Sequence, residues 1–130
     1  MAEHSGPVRR FVIHEHYART HHFDLRLERD GTLWSWALPK GMPTDPTANR
    51  LAVRVEDHDL DHIDFEDTTP VSGAAGGVIV KSIWDHGIYV DVRTTDDKLV
   101  IDLAGERLND RLAIIRTGGP NWIVHLMTAR

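Results

Sequence analysis

The sequence is dominated by short runs in which apolar and polar residues alternate with a period of two. The clearest lies at 22–28, where Phe23, Leu25 and Leu27 fall on one side of an extended chain and His22, Asp24, Arg26 and Glu28 on the other. Successive side chains of a strand point to opposite faces, whereas a helix needs a period of 3.6, and no long stretch with that period is present. Before this run, Phe11, Ile13 and Glu15 alternate with Val12, His14 and His16. Arg29-Asp30-Gly31-Thr32 then gives a hairpin signal into Leu33–Leu38, since Asp-Gly tolerates the positive φ of a tight turn. "LPKGMPTDP" reads as a loop rich in Pro and Gly. Further strands are expected at 50–56, with Leu51, Val53 and Val55 inward, and at Lys98–Leu103, Arg111–Arg116 and Trp122–Leu126. "GAAGGVIVKSIWDHGIYVDV" predicts two more, separated by an Asp-His-Gly turn. Short strands at this spacing predict an all-β fold, an antiparallel β-barrel of about seven or eight strands with little helix. A sandwich is the alternative.

At 130 residues the chain suits one domain with a real core, here expected over 11–130 behind a flexible segment at 1–10. No apolar run approaches the ~20 residues of a membrane span, and "MAEHSGPVRR" has no signal-peptide core, so a cytoplasmic protein is expected. The absence of cysteine excludes disulfides and thiolate metal sites. Net charge is −5 with histidine neutral. A broad basic footprint for coating duplex DNA is therefore missing, and any nucleic-acid contact is expected to be local, at a strand end or one phosphate.

Four of the nine histidines lie within "HEHYARTHH", residues 14–22. On one strand, residues i and i+2 point the same way about 7 Å apart, so His22 and Asp24 can close on one ion, and the link at 17–21 can bring His16 across. Two histidines and a carboxylate leave coordination positions open, which suits Mn²⁺, Zn²⁺ or Fe²⁺. A solvated strand face carrying cross-strand ion pairs would show the same pattern. "EDHDLDHIDFED" at 56–67 places His58 and His62 past a strand. Imidazoles there can exchange protons or donate to a phosphate oxygen, as a cation or through a suitable N–H tautomer; a soluble surface loop is the plain alternative. Lys40 and Arg50, either side of the Pro/Gly loop, are in isolation ordinary surface charges. "SGAAGGV" lacks both dinucleotide and P-loop spacing and is better explained by a turn. The tryptophans at 34, 36, 84 and 122 are expected in core or barrel-rim packing.

Three ordered motifs, "FVIHEHYARTHHFDLRLE", "SWALPKG" and "RLAVRVEDH", followed by "IWDHG", "GERLNDRLAIIR" and "NWIVHL", resemble the 3′-phosphoesterase domain of bacterial and archaeal DNA ligase D proteins. The resemblance runs from about residue 10 to the C-terminus. It implies a β-barrel metalloenzyme that heals DNA 3′ ends, removing a terminal 3′ ribonucleoside and hydrolysing 3′-phosphate to 3′-hydroxyl. By position, His16, His22 and Asp24 match the metal ligands, and Mn²⁺ is the ion implied, with Zn²⁺ or Co²⁺ as alternatives. Arg26 and His58 match residues that engage the scissile phosphate, with His62 beside them, and Lys40 and Arg50 match further basic residues for the substrate. Implied partners are primer-template 3′ ends and, on separate polypeptides, an ATP-dependent DNA ligase, a polymerase/primase and Ku, with the chain itself a monomer.

The chain also departs from the pattern. His62 replaces a usual tyrosine, His14-Glu15 replaces a common Gln-Lys pair, and "VSGAAGGVIVKS" replaces a tyrosine-containing stretch. Fusion versions have an N-terminal segment used in ribonucleoside removal, and ten residues precede Phe11 here. The resemblance thus carries over the phosphomonoesterase step more directly than the ribonucleoside-removing one. Two readings from other classes are an inactive 3′-end-binding module and a cupin-like 2-His-1-carboxylate iron oxygenase.

Overall fold

The computed structural model describes residues 7–17, 20–70 and 78–127. The segment 1–6 and most of the Gly-rich "SGAAGGV" stretch lie outside the described residues. Nine strands follow in chain order: β1 (Arg9–Tyr17), β2 (His21–Arg29), β3 (Thr32–Leu38), β4 (Arg50–His58), β5 (Asp67–Pro70), β6 (Val78–Thr95), β7 (Lys98–Gly105), β8 (Arg111–Gly118) and β9 (Asn121–Leu126). One 3-10 helix, Leu60–Asp64, lies between β4 and β5. The spatial order β1-β2-β3-β4-β9-β8-β7-β6 closes by pairing β6 with β1, which makes an eight-stranded antiparallel barrel. β5 adds to the free edge of β6. The expected all-β barrel is therefore present. Among the described residues no helix is long and apolar enough to cross a membrane.

The interior is filled with side chains. Phe11, Ile13, Leu25, Leu27, Trp36, Leu38, Tyr89, Ile101, Ile114 and Val124 are all buried in one cluster. The Asp30-Gly31 turn has positive φ at both residues, 52° and 82°, which matches the right-handed twist of the β2–β3 hairpin. Trp36 and Trp122 meet edge-on at 5.7 Å, while Trp34 and Trp84 pack against the cluster from its margin.

Two expectations fail here. The inward residue of β4 is Ala52, whereas Leu51 is 45% exposed. Ala52 sits opposite Trp122 and shares the core with Trp36, so two indoles fill that volume and only a small residue fits. The parity is thus one residue off the apolar pattern. Asp-His-Gly at 85–87 is no turn either, because β6 runs straight through it for 18 residues. A Cβ at Gly87 would stand 2.1 Å from the Ala104 carbonyl oxygen, so glycine serves close strand approach there. The Asp85 carboxylate accepts backbone N–H bonds from His86, Glu106, Arg107 and Leu108 and pins the β7–β8 loop.

The other face of β1, β2 and β3 is also covered. Val12, His14, Asp24, Arg26, Leu33 and Ser35 are buried, although they alternate with the core residues and point away from them. The 3-10 helix packs across β1 and β3, and the Phe65 carbonyl accepts from His14 Nε2 at 2.9 Å. A polar sheet face is thereby roofed over and must satisfy itself.

Candidate active site

The β1–β2 register places His16 opposite His22 and His14 opposite Asp24. His16, His22 and Asp24 each offer a donor atom, and these atoms lie within 4.8 Å of one another. His16 Nδ1 is 3.2 Å from His22 Nε2 and 3.9 Å from Asp24 Oδ2, and His22 Nε2 is 3.5 Å from Asp24 Oδ2. Atoms sharing an ion at ~2.1 Å stand roughly 3.0–3.5 Å apart in octahedral or tetrahedral geometry. Two of the three separations fall in that range and the third is 3.9 Å, so the nitrogen and carboxylate donor set is consistent with a divalent cation. Burial first, then Lys81 and His22, push the His16 imidazole below its ordinary pKa, keeping its lone pair available.

Arg26 organises the rest. Only 2% exposed, it donates from Nε to His14 Nδ1 at 3.2 Å and from Nη1 to Ser35 Oγ at 2.9 Å. Nη1 is also 3.0 Å from His58 Nδ1, and Nη2 is 3.5 Å from Asp24 Oδ2. Arginine has no lone pair to offer, so His14 and His58 accept at Nδ1 and carry their protons on Nε2. His14 donates this Nε2–H to the Phe65 carbonyl. His58 Nδ1 also lies 3.2 Å from the Glu56 carbonyl, which would require the opposite tautomer. The guanidinium contact is shorter and charge-assisted, and it decides the matter.

Lys81 reaches the same face from β6. Its Nζ is 3.2 Å from His62 Nε2, so the imidazole accepts there and keeps its proton on Nδ1. His62 stacks on Phe65 with ring centroids 4.7 Å apart and lies 4.8 Å from the His58 ring. Burial, then Arg26, bring His14 down to about 3. Burial, then Arg26 and Lys81, bring His62 down to about 4. His58 is lowered for the same first two reasons. Of the two ways His62 was expected to donate, these surroundings select the neutral tautomer.

Six of the eight residues singled out from the sequence therefore meet on one face: His16, His22, Asp24, Arg26, His58 and His62. Lys40 is exposed in the turn after β3, lining a groove with Phe23, Met42 and Trp84. Arg50 opens β4 opposite Val124, and its charge acts on Asp45. No described contact joins either to the cluster. His14, Ser35 and Lys81 were missed. For His14 the signal was available, since it shares the period-2 face of His16. A cleft of about 430 Å³, whose lining includes Trp84, Asp85, His86, Glu106 and Arg107, contains none of the cluster residues. It is an open hollow beside an exposed His86–Glu106 pair, and the one buried carboxylate in its lining, Asp85, is already taken up by backbone N–H groups.

Fold and site together define a class: a closed antiparallel barrel whose outer wall holds a His–His–carboxylate set against a buried arginine. The family model described as the DNA ligase D 3′-phosphoesterase domain matches residues 14–116. The chain belongs to that family. It is 42% identical over 125 residues to the multifunctional non-homologous end joining protein LigD of Mycobacterium bovis, covering 93% of this chain and 16% of that protein. Identity to the protein of the same name is 41% over 134 residues in Mycolicibacterium smegmatis (95% and 17%) and 44% over 113 in Pseudomonas aeruginosa (83% and 13%). The chain thus spans 13–17% of the length of these relatives.

Proposed function

We propose that this chain is a metal-dependent phosphoesterase that heals DNA 3′ ends during break repair. The reaction read for it is hydrolysis of a 3′-phosphate to a 3′-hydroxyl, with removal of a 3′-terminal ribonucleoside as a second activity. One observation carries the reading: the donor atoms of His16, His22 and Asp24 converge next to Arg26 in a member of this family. Two cations, Arg26 and Lys81, at the cluster favour an anionic ligand over the small neutral ligand of an oxygenase.

His16, His22 and Asp24 would hold the ion, Mn²⁺ being the leading choice. When bound, such an ion polarises a phosphoryl oxygen and makes a coordinated water more acidic. Arg26 offsets charge developing on the phosphate and keeps His58 oriented. His58 through Nε2–H and His62 through Nδ1–H donate to phosphate oxygens; His58 would steady the leaving oxygen by the same hydrogen bond, and water would supply the proton that oxygen takes up as the P–O bond breaks. Lys40 and Arg50 are assigned to the nucleotide strand leading to the site. A ligase, a polymerase and Ku would act as partners on the same ends, in keeping with the end-joining role named for the relatives.

The test is direct. Purified protein, stripped of metal and resupplied with Mn²⁺, is incubated with 5′-labelled primer duplexes ending in 3′-phosphate or in a ribonucleotide. Conversion to 3′-hydroxyl that stops on chelation is expected, and full turnover in excess chelator after exhaustive dialysis sinks the reading.

A further inference from the structure

We infer that a groove in the mouth of the barrel receives the nucleobase of the 3′-terminal nucleotide, unpaired, while the 3′-phosphate of that nucleotide lies at the His16–His22–Asp24 cluster. The inference deepens the phosphoesterase reading and rests on it. Both places lie at one end of the barrel, where β1, β3, β7 and β9 end and β2 begins. His16 and His22 sit there on the outer wall, paired across β1 and β2. Phe23 stands between the ligands His22 and Asp24 in the chain but turns to the other side of β2, where it packs on the margin of the core. A groove of about 380 Å³ opens at that point, and its lining includes Phe23, Lys40, Met42, Trp84, Asp110 and Leu126. It begins one residue, about 3.8 Å along the backbone, from two of the metal ligands.

The chemistry of the groove suits a base. Its lining is mainly apolar, and its volume lies in the range of small-ligand sites. Phe23 and Trp84 meet edge-on at 5.5 Å, and Arg107 lies over the Trp84 ring at 4.8 Å. Gly41, at φ 81°, lets the loop after β3 close on the Phe23 ring, which an added Cβ would meet at 3.2 Å. Both rings are thus set in place by their neighbours. Lys40 and Asp110 are the charged members of the lining, a donor and an acceptor for the edge of a base. Lys40 comes two residues after Leu38, the partner of Phe23, and so stands on the rim. Arg50 opens β4 at the same end, opposite Val124 and two residues from the groove's Leu126. A strand leaving the groove would run past these two cations. A base lying in the groove turns its edge to the protein and cannot pair with a template, so the end that fits is frayed or single-stranded. With a net charge of −5 the chain has no broad phosphate-binding surface, and packing of a base on aromatic rings gives affinity that tolerates any sequence.

The discriminating probes are 5′-labelled single strands with a 3′-phosphate whose last residue is natural or abasic, so that both carry the same charge. Affinity is measured by fluorescence anisotropy on the metal-loaded full chain, alongside release of phosphate. In the wild type the abasic end is expected to bind about 5- to 150-fold more weakly, the range for one base packed on an aromatic side chain. An abasic residue placed mid-strand should change affinity less than about threefold. Trp84→Leu should remove most of the preference for the natural end and leave the abasic end within about threefold of wild type. Equal wild-type affinity for natural and abasic ends overturns the inference. So does an equal loss for both ends in Trp84→Leu, or a mid-strand abasic residue that costs as much as a terminal one. Should Trp84→Leu melt early, Trp84→Phe, expected to keep most of the preference, and the wild-type comparison, which needs no variant, decide. If the wild type releases no phosphate, the phosphoesterase reading falls separately and the natural and abasic affinities still decide the groove.

Discussion

β1 and β2 bury both of their faces, and the two faces are built on opposite principles. On the inside, Phe11, Ile13, Leu25 and Leu27 are held by apolar area and shape, which are non-directional. On the outside, one residue away along the same strands, His14, Asp24 and Arg26 are held by directional contacts. Inside, a missing group leaves a void. Outside, it leaves an orphaned donor, acceptor or charge, and low local polarity magnifies the cost. The comparison teaches that the roof of residues 59–66 matters as much as the cluster. Without it, the outer face would be an ordinary wet strand surface.

The largest effect is expected from Arg26→Met. It strips the partner from the Asp24 carboxylate and a donor from His14, Ser35 and His58, and breaking such a buried network costs about 3–5 kcal/mol. Urea denaturation measures it; a loss below about 1 kcal/mol would show that the outer face is as forgiving as a surface. Arg26→Lys keeps the charge but not the fork, and it should lose turnover even where it stays folded.

Leu25→Ala tests the inner face, at about 2–5 kcal/mol for a leucine with no exposed surface. Turnover per folded molecule should survive, unlike in the Arg26 variants. If both positions lose activity in proportion to stability, the two faces are one structural unit and the contrast is void.

His62→Ala should leave the melting temperature close to wild type and cut kcat/KM about 10- to 100-fold, through one hydrogen bond to phosphate. His62→Tyr, which also offers a neutral donor, should keep most of the rate with an unchanged pH profile. Wild-type kcat/KM in the alanine variant reduces His62 to a packing partner of Phe65.

Smallest, taken one pH unit at a time, is a slope. His14 is held at about 3 in the fold against an ordinary 6.5, so on acidification the unfolded chain takes up that proton first. Its contribution is present above about pH 6.5 and is lost progressively as pH falls toward 3, by about 1.4 kcal/mol per pH unit. His14→Gln should flatten the acid limb of the stability curve by that amount. An unchanged slope would mean that His14 titrates normally.

Much of this was legible in the sequence, unevenly. Alternation at 22–28 places His22, Asp24 and Arg26 on one face, and the hairpin signals order the first three strands. The failures share a cause: each depends on what lies across from a residue rather than along the chain. Ala52 faces inward because two tryptophans elsewhere have taken the space. Arg26 is buried because of a helix more than thirty residues downstream. Lys81 has no local signature in "VIVKSIW", and only the pairing of β6 with β1 brings it to His16.

That pairing has a consequence for how the molecule comes into being. The hairpins β1–β2, β2–β3, β7–β8 and β8–β9 join near neighbours in the chain, but His16 and Lys81 meet across 65 residues. Loop-closure entropy makes such a contact slow to form, while local hairpins assemble early. A half-folded chain therefore owns the His22–Asp24 strand yet lacks the far wall of its site. Until β6 arrives, β1 offers an unpaired edge to any neighbouring chain. Completion of the histidine-lined face and protection from edge-to-edge aggregation are acquired in one late event, the closing of the ring.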